Sequence, residues 1–194
     1  MKGAEKGHMI DNYKTLEDVV RDSYASVVWS HKIQEKQSDI YAEKYKTMEI
    51  INIGTASLTS VGIVTMIFSD PLWLKLISAL ISFATVYITA YFKSFNLQKF
   101  IISHKTTANK LIAVRDQYKV LLTEIKLQND SVENLLIRYK ELVEKTDAIY
   151  LEAPTTTDKA VNKASGALKI NKDNTFTDDE IDSFLPASLR RENK

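Results

Sequence analysis

No stretch constrains this chain more than Ile50–Phe92. Ile50–Phe68 is mostly apolar and holds no Lys, Arg, Asp or Glu. Ser69, Asp70 and Pro71 follow as a tight turn, and Leu72–Phe92 is apolar again, with one charge, Lys75, near its start. A helix rises ~1.5 Å per residue, so roughly 20 residues cross a bilayer. Both segments meet that length, and a turn this short permits only an antiparallel neighbour. The expectation is a two-span transmembrane hairpin over 48–92, with spans at about 50–68 and 72–92. The second span is the stronger: Trp73, Tyr87 and Tyr91 sit near its ends, where amphipathic rings favour the interface. The first carries Asn52, Thr55, Ser57, Thr59, Ser60 and Thr65 with Gly54 and Gly62, so its own preference for lipid is marginal and it wants a helix beside it.

The rest of the chain reads as long helices outside the membrane. No proline interrupts residues 1–70, and apolar residues recur at Leu16, Val19, Val20, Tyr24, Val27 and Val28. This predicts a cytoplasmic amphipathic helix over 14–47, capped by Thr15 with Asp18, running without a break into the first span as one rod to Phe68. Residues 1–13 are expected to be disordered, and Gly7-His8-Met9 reads as a cloning junction. No apolar leader precedes residue 48, so the first span is expected to act as its own insertion signal. After the hairpin, Leu97, His104, Leu111, Tyr118 and Ile125 repeat every seven residues, with Phe100, Thr107, Val114 and Leu121 between them. Such a seam packs along a neighbouring helix at a shallow angle. Gln128-Asn129 ends that helix, and Asp130 with Glu133 reads as the capping box of another at about 131–151, bearing Val132, Leu135, Leu136, Tyr139, Leu142 and Val143. The 93–152 segment is therefore a helical hairpin that completes a three-armed bundle. Residues 153–174 read as a flexible linker with a short helix after Asp158, and Thr177–Glu180 as a capping box opening a short helix that Pro186 stops. Its apolar residues Ile181, Phe184, Leu185 and Leu189 predict that this tail docks on the bundle or on a partner. The fold class expected is all-α.

Basic residues before the first span (Lys32, Lys36, Lys44, Lys46) and after the second (Lys93, Lys99, Lys105, Lys110, Arg115), against a turn with Asp70 and no base, place both termini in the cytoplasm. Two stripes stand out within the spans. Glu49, Asn52, Thr55, Thr59 and Gly62 share one face of the first, and Lys75, Ser78, Ser82, Thr85 and Thr89 one face of the second. Such stripes line a water-filled path in an oligomer, or let helices pack closely with the hydroxyls bonded to their own backbone. Both readings stand at this point. Glu49 and Lys75 fit charge rings at the two mouths or interface anchors.

Catalysis finds no footing. The chain has no cysteine and five glycines, and no HExxH, P-loop or GxGxxG pattern. His31 with Glu35 one turn on supplies two donors where zinc wants three or four, and His104 falls on the seam as a packed histidine. A net charge of +1 with acidic residues interleaved leaves no basic face for nucleic acid. No catalytic residue, metal or cofactor is expected.

The layout, with Trp29-Ser30-His31 on the long helix, a two-span hairpin, and His104-Lys105-Thr106-Thr107-Ala108-Asn109-Lys110-Leu111, Val114-Arg115-Asp116-Gln117-Tyr118 and Leu121-Leu122-Thr123-Glu124-Ile125 after it, resembles the SLATT family, the SMODS and SLOG-associating two-transmembrane effectors. The tail from Thr177 to Arg190 is also similar to the end of some members. The resemblance spans about residues 14–190. It implies a bacterial anti-phage effector that oligomerises in the inner membrane and perforates it when a separate sensor, working through a nucleotide second messenger or a reverse-transcriptase system, reports infection. A non-conducting membrane scaffold that recruits a cytoplasmic partner is the alternative, and a soluble protein with the hairpin as its core is a third.

Overall fold

The computed structural model describes residues 2–68, 71–94, 96–173 and 175–191, with side chains from residue 11 onward except at 62, 63, 65–68, 92, 93 and 187. Ser69 and Asp70 of the expected turn lie outside the described residues. The order is α1 (Lys2–Phe68), α2 (Leu72–Ser94), α3 (Leu97–Leu127), α4 (Val132–Glu152), α5 (Asp158–Lys169) and α6 (Asp178–Phe184), then a 3-10 turn at Ala187–Leu189, with no strand among the described residues.

The organising element is α1. Its 67 residues make a rod roughly 100 Å long at ~1.5 Å per residue. The expected continuity from the amphipathic helix into the first apolar segment is present. The disordered start expected for residues 1–13 is not: α1 begins at Lys2, because the glycines there weaken a helix without breaking it and no proline intervenes. Thr15, expected as an N-cap, is inside the helix, where its hydroxyl donates to the Asp11 carbonyl at 2.9 Å.

The bundle core follows the seams for the most part, although Val19, Phe100 and Leu136 of the expected seam positions are exposed. Leu16, Val20 and Val27 of α1 meet Leu111, Val114, Tyr118, Leu121 and Ile125 of α3 and Leu135 and Leu142 of α4. All five expected seam residues of α3, Leu97, His104, Leu111, Tyr118 and Ile125, are buried. Each large apolar side chain removed from water contributes about 1.5–3 kcal/mol, so this is where most of the bundle's stability resides. Helix α3 closes on Gln128 in the left-handed region (φ 51°), with the Asn129 N–H bonded to the Glu124 carbonyl at 3.2 Å. The cap of α4 is Ser131 and not Asp130: the Ser131 hydroxyl accepts from the Asn134 N–H, while the Asp130 carboxylate accepts from the Ser131 N–H and the Asn134 amide, so no capping box forms. Tyr13 ties the base of α1 to this turn by donating to the Asp130 carbonyl at 2.8 Å.

One expectation for the C-terminal part is corrected and one is narrowed. The short helix expected after Asp158 is present as α5, but residues 153–174 are not a flexible linker: α5 packs on α1 through Ala160, Ala164 and Ala167, all buried. Composition conceals this, because alanines at i, i+4 and i+7 among lysines look like solvated helix while permitting close backbone approach. The tail does not pack on the bundle. The capping box of α6 is present as expected, with Thr177 and Glu180 bonded reciprocally, yet α6 has no buried residue. Phe176, Ile181, Phe184 and Leu189 are exposed, which leaves the partner half of the expectation open to them.

Candidate functional site

Two features stand out: the apolar hairpin, and a polar layer beside it in the bundle. In the hairpin, α2 packs antiparallel on the end of α1, and Lys44 donates to the Tyr91 hydroxyl at 2.7 Å where the two part. Half-buried positions define the seam. On α1 they are Met48, Asn52, Thr55 and Thr59; on α2 they are Leu74, Ser78, Ile81, Ser82, Thr85 and Ile88. Both sets step by three and four residues, which is how two helices share a shallow crossing. Most of each polar stripe therefore faces the other helix. Thr55 donates to the Asn52 carbonyl at 3.0 Å and Thr59 to that of Thr55 at 2.9 Å. Thr85 bonds the Ile81 carbonyl at 2.9 Å and Thr89 that of Thr85 at 2.8 Å. These hydroxyls are satisfied by their own backbone, which is what lets them lie in an apolar seam. Asn52 Oδ1 is buried without a hydrogen-bond partner. Gly62 is helical, and its packing lies outside the described residues. Glu49, Lys75 and Thr89 are exposed. Glu49 borders an open cavity of about 230 Å³ with Tyr45, Asn52, Asn96, Leu97 and Gln98, at the end of the hairpin nearest the bundle.

The outer faces of the hairpin are mostly apolar, with Ser57, Ser60, Lys75 and Thr89 among them. On α2, Trp73, Leu76, Leu80, Phe83, Val86 and Tyr87 are each at least 60% exposed. On α1, Ile50, Ile53, Leu58, Val61 and Val64 are more than half exposed. Among the described residues one helix, α2 over Leu72–Tyr91, is long and apolar enough to cross a membrane, and none of that stretch is buried. The core helix of a water-soluble protein would be mostly covered; this one is bare.

The polar layer was not foreseen as a unit. The seam of α1 runs Val20, Tyr24, Val27, His31, Gln34, Ser38 and Tyr41, a strict alternation of four- and three-residue steps. It changes from apolar to polar at His31 while remaining inward-facing: His31, Gln34 and Ser38 are all buried. Opposite them stand His104 and Thr107 of α3, also buried. His104 Nδ1 lies 2.6 Å from Gln34 Oε1, and because an amide oxygen only accepts, Nδ1 carries the proton. Gln34 Nε2 in turn donates to the Pro154 carbonyl at 3.1 Å, and the Ser38 hydroxyl to that of Ile101 at 3.2 Å. Burial holds both His31 and His104 below the ordinary histidine pKa, so both are neutral at pH 7. His31 Nδ1 and Gln37 Nε2 are buried without partners. On the adjoining face, the buried Lys32 reaches Glu35 at 2.8 Å and Asp173 at 3.3 Å. Burial opposes its charge, but the hydrogen bonds to the two carboxylates outweigh that and raise its pKa. For Glu35 burial likewise opposes the charge, and the Lys32 hydrogen bond reverses it and lowers its pKa.

The expected reading of His104 as a packed, hydrogen-bonded histidine is present in full. Glu35, the candidate partner of His31, bonds Lys32 instead. Sequence reading missed Gln34, Gln37, Thr157 and Asp173; the available signal was that the three–four rhythm of α1 continues past Val27 in polar residues.

An all-helical bundle bearing a bare apolar hairpin is the architecture of a membrane-associated helical protein. Residues 16–180 match the model of SMODS and SLOG-associating 2TM effector domain family 4, and the chain belongs to that family. Neither a curated protein nor a solved structure matches it.

Proposed function

We propose that this protein is the membrane effector of a bacterial anti-phage defence system, and that when triggered it oligomerises and makes the inner membrane leak. The observation that carries the reading is the broad exposed apolar surface of the hairpin, at Trp73, Leu76, Leu80, Phe83, Val86 and Tyr87 on α2 and at Ile50, Ile53, Leu58, Val61 and Val64 on α1. Polar backbone in a bilayer must be satisfied internally, and two paired helices meet that requirement. The first segment inserts with α2 as its partner, so both spans cross, and the lysine bias puts both termini in the cytoplasm. The trigger comes from a separate sensor protein, whose docking the exposed tail at Phe176, Ile181 and Phe184 would serve.

The stripes belong to this reading as a seam that changes partner. With Asn52, Thr55 and Thr59 turned toward Ser78, Ser82 and Thr85, the single chain is closed; conduction needs copies whose polar faces line a shared, hydrated path. The same seam favours the second reading, a non-conducting scaffold, because its threonine hydroxyls are already satisfied. Dye and ion leakage from liposomes holding the purified protein, with oligomeric state measured alongside, separates the two. Replacing Thr55, Thr59 and Gly62 together with Leu is expected to abolish leakage while insertion is retained. Leakage undiminished in that variant would remove the stripe from the pore.

A further inference from the structure

We propose that residues 154–173, the α4–α5 connection with α5 and the turn after it, are a detachable clasp that holds α1 in its resting state and must leave it before the membrane is permeabilised. This rests on the pore reading above and adds its brake. The segment is attached with little apolar cover. In the core where α1, α3 and α4 meet, the contacts are Leu, Val, Ile and Tyr, with the polar layer above them. Where α5 meets α1, the buried apolar side chains are three alanines, Ala160, Ala164 and Ala167. The remaining attachments are polar. The Thr157 N–H and hydroxyl both donate to Gln37 Oε1, at 2.9 and 2.8 Å. Asp173 pairs with buried Lys32 at 3.3 Å, and Lys163 with Glu43 at 3.4 Å. Lys169 lies over the Trp29 ring at 5.6 Å.

These attachments are what make α5 a helix. At 12 residues, with Gly166 in its interior, it is at the length where isolated helices are marginal. Its N-cap, Thr157, makes no side-chain cap bond, because its hydroxyl is given to Gln37. Removing the clasp from α1 therefore melts it, and opening and unfolding become one event. Polar groups on α1 accept the exchange readily: Gln37 Nε2 has no partner while the clasp is closed, and water supplies one when it opens. Lys32 keeps Glu35 when Asp173 departs. An interface with little apolar area and ready aqueous substitutes opens far below the energy of global unfolding. Its position suits a brake. It grips Trp29–Glu43, within about 10–30 Å of Ile50 along the same uninterrupted helix at ~1.5 Å per residue.

The test uses the full-length protein in liposomes. Hydrogen exchange in the wild type is expected to show the α5 amides opening on the order of 100-fold more readily than those of Leu111–Ile125 in α3. A Thr157→Val, Asp173→Ala variant, which touches neither hairpin nor core, is expected to exchange faster still in α5 and to leak several-fold more. Because the chain has no cysteine, a Glu43→Cys, Lys163→Cys variant can be bridged by a thiol-cleavable cross-linker. The bridged form is expected to be silent and to regain leakage on reduction. Uniform exchange across α3 and α5 overturns the clasp, as does an unchanged leak from the Thr157, Asp173 variant. Leakage that ignores the bridge also overturns it and leaves the pore reading standing. Absence of leakage from every form, with α5 opening as expected, overturns the pore reading and with it the clasp's role.

Discussion

Gln34 is the residue on which the polar layer turns, since its amide oxygen accepts a hydrogen bond from the His104 N–H and its amide nitrogen donates one to the Pro154 carbonyl. Replacing it with Leu leaves the imidazole N–H and a carbonyl without partners in a buried setting, which costs about 1–3 kcal/mol. Denaturant unfolding of the bundle, followed by circular dichroism in detergent, is expected to register a loss of that size; a neutral result would mean that water replaces the amide. The two histidines set a pH dependence. Burial depresses both pKa values below 6.5, so the fold favours neutral imidazole. The unfolded chain takes up protons first as pH falls, so the histidines' contribution is complete above about pH 6.5 and is lost progressively below it. Glu35, also depressed, contributes above its unfolded value of 4.5 and loses that contribution only in more acid solution. Melting temperatures measured between pH 7.5 and 5.5 should therefore fall, and His104→Phe should flatten the slope. None of this network was visible from His104 alone. A seam position predicts that a histidine is buried, whereas its partner lies some 70 residues away, and only the fold brings the two together.

Among the elements, the helices with long apolar rhythm were legible; of α5 the helix after Asp158 was legible and its packing on α1 was not. A seven-residue repeat such as Leu97-His104-Leu111-Tyr118-Ile125 encodes its own partner face, so burial follows from the spacing. Helix α5 encodes closeness through alanine, and alanine among lysines carries no hydrophobic signal. The tail differs: Ile181 and Phe184 promise burial and are exposed on the bundle, since an apolar face does not say whether its partner lies in the same chain. The marginal stability argued for α5 has its own check. A Cβ built on Gly166 meets nothing within 4 Å, and its φ is not in the left-handed region. Gly166→Ala is therefore expected to stabilise the helix by roughly 0.5–1 kcal/mol, mainly by restricting the unfolded chain. The gain should appear as slower amide exchange confined to 158–169. Slower exchange throughout the bundle would show that α5 does not open as a separate unit.

At the scale of the whole molecule, α1 is the one element shared by every part: the apolar core at Val20 and Val27, the polar layer at His31 and Gln34, the clasp at Gln37 and Glu43, and the hairpin from Ile50 onward. A state change in the bundle can reach the membrane by two routes, through this rod or through α3 and α2. The second route is interrupted, because α2 ends at Ser94 and α3 begins at Leu97 behind an Asn96 cap whose side chain accepts from the Lys99 N–H at 3.0 Å. The first has no interruption, and a continuous helix carries rotation and translation along its length. Thr47 stands between clasp and hairpin, exposed, with its hydroxyl bonded to the Glu43 carbonyl at 2.9 Å. Proline at that position removes one backbone hydrogen bond and kinks the helix at a local cost of about 3 kcal/mol. It disturbs neither the Leu–Val–Tyr core nor the bare faces of α2. Thr47→Pro is therefore expected to insert normally and keep the melting behaviour of the bundle, while the extra leakage produced by releasing the clasp disappears. Liposome leakage of the Thr157→Val, Asp173→Ala protein with and without Thr47→Pro measures this directly. If the released clasp still opens the membrane through a kinked α1, the signal does not travel along the rod, and the α3–α2 junction at Asn96 becomes the place to cut next.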